Sequence, residues 1–164
     1  MLKLSRILCP TDFSEPSYAG LVAACTLARI CGAELILLHV TEPFVGFGDL
    51  LSDEVGGDCD LATAKTKLAE VIETRVPSGV QARAMVKWGG AADTIVQVAQ
   101  NEDVDLVVIA THGLTGWRHM LFGSVTEAVV HGAHCPVLTV PVKPETGELA
   151  DDEEEKIAPP VPLV

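Results

Sequence analysis

Residues 105–127 read DLVVIATHGLTGWRHMLFGSVTE and join a strand-like run to a helix start through a loop that contains glycines. Residues 105–110 are almost entirely apolar and have the length of a buried strand. Glycines follow at positions 113, 116 and 123, and SVTE at 124–127 has the capping-box pattern of a helix that opens at Ser124. The stretch therefore predicts a strand, a loop and a helix in succession, which is the repeating unit of α/β folds.

Apolar runs of strand length recur along the whole chain, with helical patterns between them. Strict alternation of strands and helices requires parallel strands joined by right-handed crossovers. We therefore predict an α/β fold with an open, doubly wound sheet of five strands, whose ligand site lies beyond the carboxyl ends of the strands. The predicted strands are 5–10, 33–40, 81–88, 105–110 and 136–142.

Helical periodicity fills the intervals between these strands. The first helix is predicted from Ser14 to Gly32, the second over residues 61–76, and the fourth from Ser124 to Gly132. Residues 41–60 form a long connection for which a solvated loop and a lid are both open interpretations. The predicted inward-facing residues are Tyr18, Leu21, Val22 and Cys25 in the first helix, Leu61, Ala64, Leu68 and Ile72 in the second, and Ala92, Ile95, Val96 and Ala99 in the third.

The chain is acidic on the outside and aliphatic inside. Its 164 residues carry a formal net charge of −12, and 48% of them are hydrophobic, which indicates one domain with a large core. Seven acids and two lysines give residues 143–164 a charge of −5, which leaves −7 for residues 1–142. We therefore predict a domain at 1–142 and a flexible acidic tail at 143–164, and expect neither nucleic acid nor a membrane as partner.

The cysteines and the N-terminus indicate a reducing compartment. Five cysteines are an odd number, and three of them lie in apolar periodic segments, where they resemble small hydrophobic residues rather than a disulfide framework. The first ten residues lack the apolar stretch of a signal peptide, and no segment approaches the roughly 20 apolar residues of a membrane span. We expect a cytoplasmic protein.

The glycine-containing loop has the features of a phosphate site without a lysine. Glycine lets a backbone approach an anion closely, and the free amides and dipole of a helix N-terminus stabilise phosphate. The hydroxyls of Ser124 and Thr126 add donors in the same turn as Gly123. An acidic protein could bind a nucleotide in this way, whereas the GK[ST] sequence of a P-loop is absent from the loop.

Polar groups also follow the first and second strands. Asp12 comes directly after the first strand, where a carboxylate can accept hydrogen bonds from a ribose or face phosphates through Mg²⁺. Asp12 is equally typical of a helix cap or an Asx turn, and both structural roles stay open. The backbone around His39 and Val40, at the end of the second strand, could contact the edge of an adenine.

Other polar residues have competing interpretations. Arg118 and His119 in the glycine loop could approach a triphosphate, face solvent or contact a second subunit. His131, His134 and Cys135 are too few for a structural zinc site, and we interpret them as residues of a helix end and a strand entry.

The sequence resembles the universal stress protein family over about residues 3–142. The signature of that family is glycine, two residues, glycine, nine residues, glycine and then serine or threonine. ATHGLTGWRHMLFGS, residues 110–124, matches it except that Ala110 takes the place of the first glycine. RILCPTDFSEPS is similar to the opening strand and aspartate of the family, ELILLHV to its second strand, and HCPVLTVPV to its closing strand.

The resemblance implies a strand order of 3-2-1-4-5, a homodimer paired through the strand at 136–142, and, in one branch of the family, binding of ATP with Mg²⁺ or Mn²⁺. AMP or ADP are alternative ligands. By position, the implied contacts to the adenosine are Pro10, Thr11, Asp12 and the Val40 backbone, those to ribose and phosphates are Ile109 and Ala110, and those to the phosphates are Gly113, Gly123, Ser124, Val125 and Thr126.

Three functions remain open from the sequence. The leading hypothesis is a homodimeric stress-response protein that binds an adenine nucleotide and acts on a partner. A weak ATPase or nucleotide-transfer enzyme is the second, although no residue pair with catalytic spacing is visible. The third is an interaction module that keeps the fold without a nucleotide.

Overall fold

The computed structural model describes residues 4–42, 57–111 and 123–142, without the side chains of residues 57–60. Gly113, Arg118, His119, the 143–164 tail and most of the connection predicted at 41–60 lie outside these residues. Strands and helices alternate throughout the described part, as predicted. The elements are β1 (Arg6–Pro10), α1 (Glu15–Cys31), β2 (Glu34–Thr41), α2 (Gly57–Arg75), β3 (Ala82–Trp88), α3 (Ala91–Asn101), β4 (Leu106–Ala110), α4 (Ser124–Gly132) and β5 (Val137–Val140).

All strand pairs are parallel, and the sheet has the order β3-β2-β1-β4-β5. The open, doubly wound α/β sheet and the order 3-2-1-4-5 are therefore confirmed. The chain runs outward from β1 to β3 and then returns to β4 on the other side of β1. The strand order thus reverses between β1 and β4, which is where doubly wound sheets form a crevice.

Alternate residues of the central strands pack on opposite faces of the sheet. On one face, Ile7, Leu35 and Val108 pack with Leu21 of α1 and Leu68 of α2. The opposite face carries Leu8, Ile36, Leu38, Val107 and Ile109, which pack with Ile95 and Val98 of α3 and Val129 of α4. Burial is continuous in Ile7–Pro10 of β1, Leu35–Leu38 of β2 and all of β4, whereas the edge strands β3 and β5 contain no fully buried residue.

The first helix follows its prediction except at Val22. Ser14 caps α1 by accepting a hydrogen bond from the Ser17 N–H, and Gly32 ends it with φ 66°. Val22 was predicted to face inward but is 68% exposed. It lies one residue beyond buried Leu21, and one residue rotates the side chain by about 100° around the helix.

The fourth helix has the predicted bounds, but its cap differs from the prediction. Ser124 is its first helical residue and not its cap, which is Gly123, a residue without a side chain that could cap the helix. Gly123 donates its N–H to the Thr111 carbonyl at 2.7 Å and accepts from the Glu127 N–H at 3.0 Å. These two bonds hold Gly123 as the cap, so the predicted capping box of Ser124 and Glu127 is wrong.

Two cysteines behave as apolar side chains, as expected. Cys9 and Cys25 are buried in the α1 face of the sheet, and burial raises the pKa of both thiols. In the described residues, no helix has the length and apolar character needed to cross a membrane.

Candidate functional site

A cavity of about 340 Å³ lies at the carboxyl ends of β1, β2 and β4. It occupies the point where the strand order reverses, and its volume falls in the range of small-molecule sites. The structure brings ten of the eleven predicted site residues to this cavity, whereas Gly113 lies outside the described residues. The ten are Pro10, Thr11, Asp12, Val40, Ile109, Ala110, Gly123, Ser124, Val125 and Thr126.

Four further residues line the cavity and were missed by the sequence analysis: Leu38, Glu42, Ala91 and Ile95. Leu38 was assigned only to a predicted strand and Ile95 only to the inward face of a predicted helix, and nothing in the sequence shows that they border a cavity. Glu42 is exposed and accepts a hydrogen bond from the Ala91 N–H at 3.2 Å. Its carboxylate therefore occupies the N-terminus of α3, a position that the helix dipole favours for an anion.

The Thr11 hydroxyl takes part in a buried network below the cavity. It lies 2.9 Å from the Ser17 hydroxyl, which donates to the Ser14 carbonyl at 2.8 Å, and it accepts from the Phe13 N–H at 3.1 Å. Because the Ser17 hydroxyl donates its hydrogen to the Ser14 carbonyl, Thr11 must be the donor between the two hydroxyls. Thr11 is only 6% exposed. Its hydroxyl therefore holds the turn next to the cavity that Thr11 lines.

Asp12 forms the Asx turn that was one of its two structural alternatives. Its Oδ1 accepts from the Ser14 N–H at 3.0 Å and from the Ser14 hydroxyl. The helix cap is Ser14 itself. A carboxylate has about four acceptor positions, so the turn is compatible with a further bond from a ligand in the cavity that Asp12 lines.

The backbone of Val40 is directed toward the cavity. Even-numbered residues of β2 bond to β1, as shown by Leu38, whose carbonyl accepts from the Thr11 N–H at 2.8 Å. Odd-numbered residues bond to β3, as shown by Thr41, whose carbonyl accepts from the Gly89 N–H at 3.1 Å. The N–H and C=O of Val40 therefore face the β1 side, where the chain has already turned away at Asp12.

The N-terminus of α4 presents backbone amides to the same cavity. The first amides of a helix have no partner within it, and at α4 these belong to Ser124, Val125 and Thr126. The Ser124 side chain is exposed and available as a donor. The Thr126 hydroxyl donates to the Ala110 carbonyl at 2.9 Å and is 4% exposed, so its predicted role as a phosphate donor is wrong. Only the Thr126 amide remains for that role.

Ala110 lies directly against α1. Its side chain follows the alternation of Leu106 and Val108, which pack on the α1 side of the sheet. A Cβ atom on Gly20 of α1 would come within 3.2 Å of the Ala110 nitrogen. The methyl group that replaces the first signature glycine therefore points toward α1, on the face opposite to Ile109.

The electrostatics of the cavity combine two carboxylates with one helix N-terminus whose cap, Gly123, has no side chain. Asp12 and Glu42 stand at the rim on the β1 and β2 side, and the α4 amides stand across from them. In the described part of the chain, no three His, Cys, Asp or Glu side chains are grouped so that they could hold a metal ion. The cavity therefore offers acceptors at one end and anion-binding donors at the other.

Comparison with known proteins places the chain in a family. The profile described as the universal stress protein family matches residues 3–141. A universal stress protein of Methanocaldococcus jannaschii is 34% identical over 137 residues, which cover 82% of this chain and 81% of that protein. UspA of Lactobacillus plantarum has a solved structure with a TM-score of 0.69 at 23% identity, covering 84% of this chain and 98% of its own.

Two other solved structures of similar fold contain nucleotides. A universal stress protein in complex with cAMP has a TM-score of 0.62 at 20% identity, covering 85% of this chain and 98% of its own. A universal stress protein of Archaeoglobus fulgidus in complex with dAMP has a TM-score of 0.57 at 20% identity, with the same coverage. Since the profile spans nearly all of the described residues, the chain belongs to the universal stress protein family.

Proposed function

We propose that this chain binds an adenine nucleotide, with ATP as the first candidate, in the cavity between the ends of β1 and β4. The observation that carries the proposal is the N-terminus of α4, which borders the cavity and has a glycine cap without a side-chain hydrogen bond. Such a terminus holds phosphate through amides and dipole without a basic side chain.

The opposite end of the cavity suits a nucleoside. Apolar Leu38, Ile95 and Ile109 supply surface for a base, and the Val40 backbone supplies one donor and one acceptor for its edge. Asp12 supplies a carboxylate that can accept from ribose hydroxyls. Mg²⁺ or Mn²⁺ would arrive bound to the phosphates, and Asp12 is the carboxylate that we propose would face it. The complexes of similar fold with cAMP and dAMP support an adenine nucleotide as ligand.

We infer further that the protein acts as a homodimer in the cytoplasm and passes the nucleotide state to a partner in a stress response. The dimer would pair through the strand at 136–142. β5 lies at one edge of the sheet, and exposed apolar residues, Leu138 at 40% and Val130 at 45%, lie on β5 and neighbouring α4. An unpaired edge with apolar residues favours pairing with another strand.

The test starts from protein as purified. Denaturation followed by chromatography detects any nucleotide that was carried through purification. Titration of the emptied protein with ATP and Mg²⁺ should then raise its melting temperature with the logarithm of the ligand concentration. Phosphate release over hours separates a binding protein from a weak ATPase, and light scattering at micromolar concentration measures the dimer.

The double variant Gly123→Val with Ser124→Ala is the matched control for the phosphate site. A Cβ at Gly123 would lie 3.3 Å from the Thr111 carbonyl oxygen, so the branched side chain of valine must displace the start of α4. We expect this variant to fold but to show no ATP-dependent rise in melting temperature. An unchanged response would show that the phosphates are not held at α4.

A further inference from the structure

The turn that carries Asp12 has an unusual backbone conformation. Phe13 has φ 63°, in the left-handed region that bulky side chains rarely adopt. This conformation lets the chain cross the end of β1, so that Asp12 lines the cavity while the Phe13 ring packs on the α1 and α2 side of the sheet. A strained residue persists only when its surroundings hold it in place.

His39 contacts this turn in two ways from the adjacent strand. Its Nδ1 lies 2.9 Å from the Thr11 carbonyl, and because a carbonyl only accepts, Nδ1 must carry the hydrogen. The His39 and Phe13 rings are also in contact, with centroids 4.3 Å apart. Lys67 of α2 lies over the outer face of the Phe13 ring, with Nζ 5.7 Å from its centroid.

Neither His39 nor Phe13 lines the cavity, yet together they fix both residues that flank Asp12. The hydrogen bond holds the Thr11 carbonyl on one side, and the ring contact holds Phe13 on the other. The Asx turn from Asp12 to Ser14 then orients the carboxylate. Movement of His39 would therefore change the position of Asp12 without touching the surface that a ligand meets.

We propose that His39 is a positioning residue, which locks the Thr11–Asp12–Phe13 turn so that Asp12 can accept hydrogen bonds from the ribose hydroxyls of a nucleotide. The ribose part rests on the proposed function, whereas the locking of the turn does not. His39 thereby sets the preference of the site for ribose over sugars that lack hydroxyls.

Two variants separate the hydrogen bond from the ring contact. His39→Asn keeps an amide donor close to the position of Nδ1 and loses the ring, and His39→Phe keeps a ring and loses the donor. ATP and 2′,3′-dideoxy-ATP, which lacks the hydroxyls, are titrated against each by calorimetry. We expect His39→Phe to lower the affinity for ATP about tenfold and the affinity for the dideoxy compound less than about twofold. In His39→Asn, the ratio of the two affinities should stay close to that of the wild type.

A ligand-free measurement keeps the two proposals distinguishable. Hydrogen exchange at the Phe13 and Ser14 amides, which bond to Thr11 Oγ1 and Asp12 Oδ1, should accelerate about tenfold or more in His39→Phe and much less in His39→Asn. Exchange in α3 should stay unchanged in both. If the wild type binds neither nucleotide, the proposed function fails, and the exchange rates still decide the locking of the turn.

Three results would overturn the inference. One is an equal loss of affinity for both ligands in His39→Phe, which would indicate general damage to the cavity. Another is hydrogen exchange at the Ser14 amide that is as slow in His39→Phe as in the wild type. The third needs no variant: ¹⁵N spectra of the wild-type imidazole should show hydrogen on Nδ1, and a neutral ring with hydrogen only on Nε2 would exclude the bond to Thr11.

Discussion

The N-termini of α1 and α4 follow the two strands between which the sheet order reverses, yet the two helices are capped differently. At α1, Ser14 accepts from the Ser17 N–H, and Asp12 adds a carboxylate to the turn before it. At α4, Gly123 contributes no side chain, and the Ser124 hydroxyl stays exposed. In the described residues, the chain thus supplies a carboxylate and a hydroxyl at the start of α1, whereas the cap of α4 has no side chain at all.

The largest expected effect comes from a side chain that blocks the N-terminus of α4. Gly123→Val should lower nucleotide affinity about a hundredfold, because it displaces several amides that bind charged oxygen. Isothermal titration calorimetry with ATP measures the loss. Gly32→Ala is the control at the other end of α1, where φ is 66°: it should lower stability by about 1 kcal/mol and leave the affinity unchanged. An equal loss of affinity in both would show that the effect of Gly123 is not local.

A smaller effect is expected from a carboxylate at the start of α4, comparable to that of Asp12 before α1. Ser124→Asp should stabilise the ligand-free protein by about 0.5 kcal/mol through the helix dipole and weaken ATP about tenfold through repulsion. Urea unfolding and ATP titration measure the two effects. Ser124→Asn, which has the same shape without the charge, should show neither to a comparable degree. Tighter binding in the Asp variant would contradict an anion site at α4.

The converse change removes the cap from α1. Ser14→Ala loses the hydrogen bond to the Ser17 N–H and should lower the free energy of unfolding by about 1 kcal/mol. Nucleotide affinity should change less than about threefold, because the Ser14 amide still bonds to Asp12. Chemical unfolding with and without ATP separates the two quantities. A loss of affinity as large as that of Gly123→Val would mean that the two helix termini do not differ in role.

The smallest expected effect concerns α3, whose N-terminus receives Glu42. Glu42→Gln keeps an acceptor for the Ala91 N–H and removes one negative charge from the rim of the cavity. Because Glu42 is exposed and screened by solvent, we expect ATP affinity to rise only about twofold. Titrations at low and high salt check the origin of the change, since the gain should shrink as ionic strength rises.

Periodicity in the sequence was sufficient for the elements of the fold, and the family resemblance supplied the strand order. Apolar runs such as 105–110 and a glycine stop such as Gly32 are local signals that the structure confirms. The ten predicted site residues that the structure describes also meet at one cavity, because carboxyl ends of parallel strands share one edge of the sheet. Whether each of them contacts a ligand stays a prediction.

The predictions that failed depended on which partner a polar group finds in the folded chain. The Thr126 hydroxyl is of the right type for a phosphate ligand, but it donates to the Ala110 carbonyl instead. The cap of α4 moved to Gly123 because the Thr111 carbonyl, 12 positions away in sequence, fixes its N–H. His39 gave a weak signal as a polar residue within an apolar strand, and its bond to Thr11 joins residues that are distant in sequence.

If the proposed anion binds at α4, the glycine cap would also affect how long the protein survives in a cell. A helix that lacks a side-chain cap gives up part of its stability until an anion binds, and any ligand that binds only the folded chain adds to the free energy of unfolding. A ligand at about 100 times its dissociation constant adds about 2.7 kcal/mol, which lowers the unfolded fraction about a hundredfold. Proteases degrade the unfolded fraction, so the abundance of such a protein would follow the free concentration of the anion that it binds.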